Sequence, residues 1–144
     1  MNEDKFEKIS FVIPFNDESE LIKPQTKLSL DKFPGEIKLM LRIGFVGLKP
    51  SHQYHMKIFV SPSHMRIKVG ETVEHQNPFA ELAAINLDTK GTILGSFYVD
   101  GQVTVTLENV IVPAKGIYQV RCELTDPAEA DQSIHENFSY YTVE

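Results

Sequence analysis

The histidines, the single cysteine and the acidic residues are the side chains with which this chain could bind a metal ion or carry out catalysis. His52 and His55 are three positions apart in a strand-like segment, and residues at that spacing on a strand point to opposite faces. The two imidazoles are therefore not expected to bind one ion. Cys122 alternates with Val120 and Leu124, which predicts a buried thiol that packs as a small hydrophobe rather than acting as a nucleophile.

The acidic side chains near the carboxyl end raise the question of calcium or of paired catalytic carboxylates. Asp126, Glu129, Asp131 and Glu136 lack the alternating oxygen ligands and the glycine that calcium loops contain. Paired carboxylates can assemble from distant strands, so a β-sandwich hydrolase stays open as an alternative. Because the sequence also lacks the phosphate-loop, serine-hydrolase and zinc-protease motifs, we predict no catalytic residue, no metal site and no cofactor.

Composition and charge limit the classes of partner. The 144 residues suit one domain over residues 1–144, and a hydrophobic content of 42% is enough for a core without metals or crosslinks. The net charge of -6 is unsuited to neutralising phosphates, so neither nucleic acid nor an anionic membrane is an expected partner.

The cellular location is predicted from cysteine usage and from the first residues. A single cysteine excludes an internal disulfide, on which small secreted sandwiches often rely. The opening segment is charged, with both signs mixed, and has neither the apolar region nor the small-residue cleavage site of a signal peptide. These features predict a cytoplasmic protein.

A period-two alternation of apolar and polar residues recurs along the chain. The strands that it indicates must position the histidine, cysteine and acidic side chains considered above. It is clearest over residues 36–46, 53–60 and 116–125, where every second residue is apolar. Side chains alternate between the two faces of a strand, so each segment has one buried and one solvated face, as in an antiparallel sheet packed on one side. Further strands are predicted over residues 8–15 (with Ile9, Phe11 and Ile13 on one face), 26–30, 65–73, 92–99, 102–112 and 134–143. The predicted shared core is Leu39, Leu41, Ile43, Met56, Ile58, Val105, Leu107, Tyr118, Val120 and Leu124.

Turn-forming residues predict where these strands end. Ser61-Pro62-Ser63 is expected to turn the chain, and Asp100-Gly101 is the strongest hairpin signal because a type I′ turn needs positive φ at both positions. Asn77-Pro78 and the alanines that follow are a possible helix start, so at most one short helix is expected, near residues 78–86. A strand over residues 82–87 is the competing interpretation.

Eight or nine short strands without a long amphipathic helix predict an all-β fold, a two-layer antiparallel β-sandwich. Pro113-Ala114-Lys115-Gly116 is a turn that leads into a strand beginning near Tyr118. Over residues 8–143 this layout resembles an immunoglobulin-like or fibronectin type III-like sandwich. The resemblance implies that Tyr118 hydrogen-bonds back across the corner. Tryptophan and a cysteine pair, both typical of antibody domains, are missing from the sequence.

The predicted function is that of a non-catalytic intracellular module that binds a protein partner or itself. Of Phe97/Tyr98 and Tyr140/Tyr141, one residue each should point outward, and loops at one end of a sandwich often carry function. The immunoglobulin-like resemblance implies that the loops at residues 47–52 and 126–133 lie at the same end, the first with Lys49 and His52 and the second acidic. A carbohydrate-binding accessory module and a structural subunit of a phage-like assembly are the alternatives. The predicted partner surface is Tyr98, Tyr140, Tyr141, Lys49, His52, Asp126, Glu129 and Asp131.

Overall fold

A computed structural model describes residues 6–16, 23–65, 80–89 and 99–144 of the chain. These residues form β-strands and one short 3-10 helix at Pro127–Glu129, and none of their helices is long and apolar enough to cross a membrane. The strands are β1 (Lys8–Asn16), β2 (Lys23–Pro24), β3 (Lys27–Leu28), β4 (Gly35–Leu48), β5 (Gln53–Met65), β6 (Ala80–Asp88), β7 (Val99–Val112), β8 (Gly116–Asp126) and β9 (Gln132–Val143).

The strands form two sheets, which confirms the predicted all-β sandwich. Sheet A has the order β2-β1-β4-β7, and sheet B has the order β3-β9-β8-β5-β6. All pairs are antiparallel except β3 with β9. The chain crosses from sheet A to sheet B after β2, because the short segment predicted over residues 26–30 pairs with the end of β9.

The core lies between the sheets, and the alternating residues form it as predicted. On β4 the inward set runs from Ile37 to Phe45 at every second position, and β5 and β8 supply the opposite layer. Every residue of the predicted core belongs to one buried cluster. The prediction succeeds because a strand with one solvated face buries most of its apolar side chains on the other.

The predicted face of β1 is wrong beyond its second residue. The register with β4 shifts between Ile9 and Phe11, which inserts one extra residue as a β-bulge. A bulge reverses the alternation that follows it, so Ile9 and Val12 are buried whereas Phe11 and Ile13 are only half-buried.

Two of the predicted turns are also wrong. Asp100 and Gly101 lie inside β7, where Gly101 pairs with Phe45, and neither residue has the positive φ that a type I′ turn requires. The segment Ser61-Pro62-Ser63 continues β5, and a bulge next to Pro62 accommodates the residue that cannot donate to the ladder. In both places the pairing with a long neighbouring strand outweighs the local turn preference.

The segment at residues 80–88 is a strand, which confirms the strand interpretation over residues 82–87 and excludes the alternative short helix where the structure describes it. β6 pairs with β5 along its length, and Ala83, Ile85 and Leu87 face the core. This pairing gives the backbone N–H and C=O groups of the segment hydrogen-bond partners on β5, whereas a short isolated helix would be only marginally stable. Except for Met65 and Val99, the strands predicted over residues 65–73 and 92–99 lie outside the described residues.

One long side of the sandwich is closed by hydrogen bonds between the sheets. The Ile9 N–H of β1 donates to His135 Nδ1 of β9 over 2.9 Å, and Asn137 Nδ2 donates to the Ile9 carbonyl oxygen over 2.8 Å. Burial is the main cause that lowers the pKa of His135, which favours the neutral imidazole that this acceptor role needs. These bonds satisfy the main chain at the bulge and join β1 to β9.

Cys122 is buried in this core, as predicted, and we expect its thiol to be unreactive in the native protein. Burial raises its pKa to about 12, so the reactive thiolate is scarce. A chromogenic disulfide reagent should therefore label Cys122 only after denaturation. Cys122→Ala should cost about 1 kcal/mol through a small cavity. Cys122→Ser should cost more, because it buries a hydroxyl. Fast stoichiometric labelling of the folded protein would contradict this strand register.

Candidate functional site

The two loops predicted to share one end of the sandwich do contact each other. His52 Nε2 lies 3.0 Å from Asp126 Oδ2. Asp126 ends β8, and its other carboxylate oxygen accepts the Ala128 N–H over 3.0 Å, which caps the 3-10 helix. The Asp126 side chain is only 4% exposed and that of His52 is 22% exposed, so this pair ties the loops together rather than facing a partner.

Tyr54 connects the first of these loops to the start of the chain. Its hydroxyl donates to Glu7 Oε2 over 3.1 Å and accepts the Lys49 N–H over 2.8 Å. The Tyr54 ring packs against the His52 ring with centroids 4.6 Å apart. Burial is the main cause that raises the pKa of Tyr54, which keeps its hydroxyl a donor to the buried Glu7. We call Glu7, Lys49, His52, Tyr54 and Asp126 the polar cluster.

Thr89, at the end of β6, holds the same loop from the other side. Its hydroxyl accepts the His52 N–H over 2.8 Å and donates to the Lys49 carbonyl oxygen over 2.7 Å. The polar cluster and Thr89 thus join four chain segments, at residues 7, 49–54, 89 and 126, which is a structural role. Among the residues that the structure describes, no three His, Cys, Asp or Glu side chains are placed to hold a metal ion.

The predicted partner surface at this end is therefore only partly exposed. Lys49, Glu129 and Asp131 are at the surface, and Asp131 Oδ1 lies 3.0 Å from His55 Nδ1. Placing Asp126 on that surface is wrong, because it is buried under the loop that it caps. Tyr98 lies outside the described residues.

Tyr140 and Tyr141 point to opposite faces of β9. Tyr140 is 49% exposed, whereas Tyr141 is buried and stacks on Tyr118 with ring centroids 5.5 Å apart. Placing Tyr141 on the partner surface is therefore wrong, because its position on β9 puts it in the core. The Tyr118 hydroxyl donates to the Ala114 carbonyl oxygen over 2.6 Å, which confirms the corner bond implied by the immunoglobulin-like resemblance.

Tyr140 belongs to a contiguous apolar patch on the outer surface of sheet B. Ile117, Phe138 and Tyr140 are exposed by 39%, 42% and 49%. Phe138 and Tyr140 share one face of β9, and Ile117 lies diagonally across from Tyr140 on β8. Diagonal neighbours on adjacent strands are within reach of aromatic side chains, so the three form one surface.

Arg121 lies at the centre of this patch. It pairs with Phe138 on one side and with Phe59 on the other, and its guanidinium is 4.1 Å from the Phe59 ring centroid. Its Nη1 donates to Glu136 over 3.1 Å and to Glu123 over 3.4 Å. We call the surface formed by Phe59, Ile117, Gln119, Arg121, Phe138 and Tyr140 the aromatic face.

Sequence reasoning identified only Tyr140 of these exposed residues as a surface candidate. The signal for Phe138 was available, since Glu136, Phe138 and Tyr140 alternate with residues of the opposite face. Ile117 and Arg121 could be placed beside them only through the register between β8 and β9, because that register brings together residues distant in the sequence.

Comparisons with known proteins add a structural likeness alone. No family model and no curated protein matches the chain. Among solved structures, a Niemann-Pick type C2 protein from the Japanese carpenter ant is 12% identical, with a TM-score of 0.47 over 96% of this chain and 92% of that chain. A likeness at this level carries no information on ligand or function. From its own strands and sheets, the chain is an all-β two-sheet sandwich, compatible with the immunoglobulin-like architecture.

Proposed function

We propose that this protein is a non-catalytic interaction module that binds a second copy of itself through the aromatic face. The observation that carries the proposal is the exposure of Ile117, Phe138 and Tyr140 side by side on a regular sheet. Large apolar side chains that are exposed together are a feature of interaction sites, whereas scattered ones are ordinary.

The residue types of the aromatic face support a protein partner. Aromatic residues and arginine are enriched at interfaces and supply most of the residues that dominate binding energy. Arg121 is already oriented by Phe59 and Glu136, so little side-chain freedom would be lost on binding. The hydrogen bond from Gln119 Nε2 to the Tyr140 hydroxyl orients a second anchor in the same way.

The charge of the aromatic face favours a second copy. Lys57 and Arg121 balance Glu123 and Glu136 on the same outer surface of sheet B, whereas the whole chain has a net charge of -6. Two acidic copies would therefore meet with least repulsion at this neutral patch. A twofold axis would place each patch on its counterpart, the arrangement of most homodimers.

The test is the molar mass in solution, measured by light scattering over a wide range of protein concentration. Wild-type protein should change from monomer to dimer as the concentration rises. The double variant Phe138→Ser/Tyr140→Ser should weaken dimerisation at least about tenfold, or ~1.4 kcal/mol. Ile111→Ser is the matched control, since Ile111 is 68% exposed on a strand of sheet A and its loss should leave the dimer unchanged.

Two outcomes would contradict the proposal. A wild-type protein that stays monomeric at every concentration has no self-association to explain. Equal weakening by Ile111→Ser and by the double variant would show that general loss of surface hydrophobicity, rather than the aromatic face, is responsible.

A further inference from the structure

Two polar side chains of β9 hold the main chain of β1 where no strand does so. His135 and Asn137 are two positions apart and therefore share one face of β9. Both bond the main chain of Ile9, His135 as the acceptor of its N–H and Asn137 as a donor to its carbonyl oxygen. The pairing of β1 with β2 is confined to residues 15 and 16, so these side chains take the place of a neighbouring strand at Ile9.

The hydrogen bond from Ile9 fixes the protonation state of the His135 ring. A backbone N–H can only donate, so Nδ1 must carry a lone pair and the proton of the neutral ring is on Nε2. When the ring takes up a second proton, both of its nitrogens become donors. Two donors then face each other where the bond of 2.9 Å had been, and the Ile9 main chain keeps only its bond to Asn137.

The surroundings of His135 oppose the charged form of its ring. Burial is the main cause that lowers its pKa, and the nearby Lys8 of β1 lowers it further, whereas Glu136 raises it. Glu136 itself is engaged with Arg121, 3.1 Å away. On β8 the residue opposite His135 is the apolar Leu124. A proton on His135 is therefore less stable in the folded protein than on a histidine in water.

We propose that His135 is an acid-sensitive switch that releases the amino-terminal end of β1 from β9. When β1 opens, the imidazole returns to water and to its ordinary pKa of about 6.5. The open state then binds a proton more tightly than the closed state. The closed state is therefore fully favoured above about pH 6.5 and loses stability as the pH falls below that value.

The release is local and exposes one part of the core. The Ile9 side chain is 1% exposed in the closed state, so its departure opens the space between the sheets along this side. Beyond the bulge, residues 11–15 of β1 stay paired with β4. His135 and Asn137 are on the face of β9 opposite to Phe138 and Tyr140, so the switch does not depend on self-association through the aromatic face.

The experiment follows the Ile9 amide of the full chain by NMR between about pH 7.5 and about pH 5.5, a range in which histidine titrates and ordinary carboxyl groups stay ionised. Protection of this amide against hydrogen exchange, corrected for the intrinsic effect of pH on exchange, should fall at least about threefold. Protection of the Val120 amide, in the middle of β8, should stay constant. At the upper pH the His135 ring should be the Nε2–H tautomer.

His135→Asn is the test variant, because its Oδ1 is attached to Cγ as Nδ1 is and accepts a hydrogen bond without titrating. Protection of Ile9 in this variant should not depend on pH over the same range. His55→Asn is the matched control, since His55 contacts Asp131 rather than β1, and it should keep the fall seen in wild type.

Three results would overturn the proposal. The first is constant protection of Ile9 in wild type. The second is a fall that persists in His135→Asn or disappears in His55→Asn, because another group would then be responsible. If His135→Asn does not fold, the wild-type titration decides. The Ile9 amide shift must then change with the same midpoint as the His135 ring, and a midpoint at or above the ordinary pKa of histidine is the third contrary result.

Discussion

Replacing Leu41 or Ile58 by alanine is expected to lower the free energy of unfolding by roughly 2–5 kcal/mol. Leu41 lies on β4 and Ile58 on β5, so they represent the two layers of the core, and each has a relative exposure of 0%. Truncation loses the transfer free energy of the removed methyl groups. It also leaves a cavity that neighbours held in paired strands fill only partly.

Urea unfolding at equilibrium measures the free energy of unfolding of each variant. The slope of that free energy against urea concentration should be the same as in wild type, which shows that the native and unfolded states are otherwise unchanged. Ile111→Ala is the control, because Ile111 is 68% exposed and its truncation should stay within about 0.5 kcal/mol of wild type. A loss below about 0.5 kcal/mol at both Leu41 and Ile58 would mean that the register of the sheets is wrong.

Replacing Tyr54 by phenylalanine is expected to cost about 1–3 kcal/mol, although only one oxygen atom is removed. That oxygen accepts the Lys49 N–H and donates to Glu7, whose residue exposure is 5%. Its removal takes a donor from a buried carboxylate and an acceptor from a loop amide. Such losses cost more than an ordinary hydrogen bond contributes, because the remaining groups stay desolvated.

Tyr140→Phe is the matched control for this variant. It removes the same atom from an exposed tyrosine, whose hydroxyl accepts a hydrogen bond from the Gln119 side chain at the surface. Water can replace that bond, so the variant should unfold at nearly the wild-type temperature. A thermal melt in which Tyr54→Phe and Tyr140→Phe were indistinguishable would contradict the structural role of the polar cluster.

The residues predicted to form one partner surface lie in separate places, some in the polar cluster and one, Tyr140, on the aromatic face. His52 and Asp126 are used to join two loops, whereas Tyr140 stands on the outer surface of sheet B. Loops at the end of a sandwich often carry function. Here, however, some of the polar side chains of these loops already form hydrogen bonds within the chain. The aromatic face is therefore the surface on which the proposed function rests.

The immunoglobulin-like resemblance implied the bond of Tyr118 across its corner. The amino-acid sequence by itself determined most of the strands that the structure describes, the inward residues between bulges and the burial of Cys122. These features depend on local alternation and on short turns, which a few neighbouring residues specify. The meeting of the loops at residues 47–52 and 126–133 could also be predicted, because it follows from the order of strands in a sandwich of this kind.

Only the tertiary structure decided the bulges and the continuations of strands through turn-like residues. Asn109 has a φ of 56° at a shift in the register of β7 with β4. After that shift Val110 is buried and Ile111 is exposed, which reverses the alternation seen at Leu107. Asp100-Gly101 likewise continues β7 because β4 offers it a pairing partner. A bulge or a suppressed turn is set by the free energy of pairing with a distant strand, which no local pattern contains.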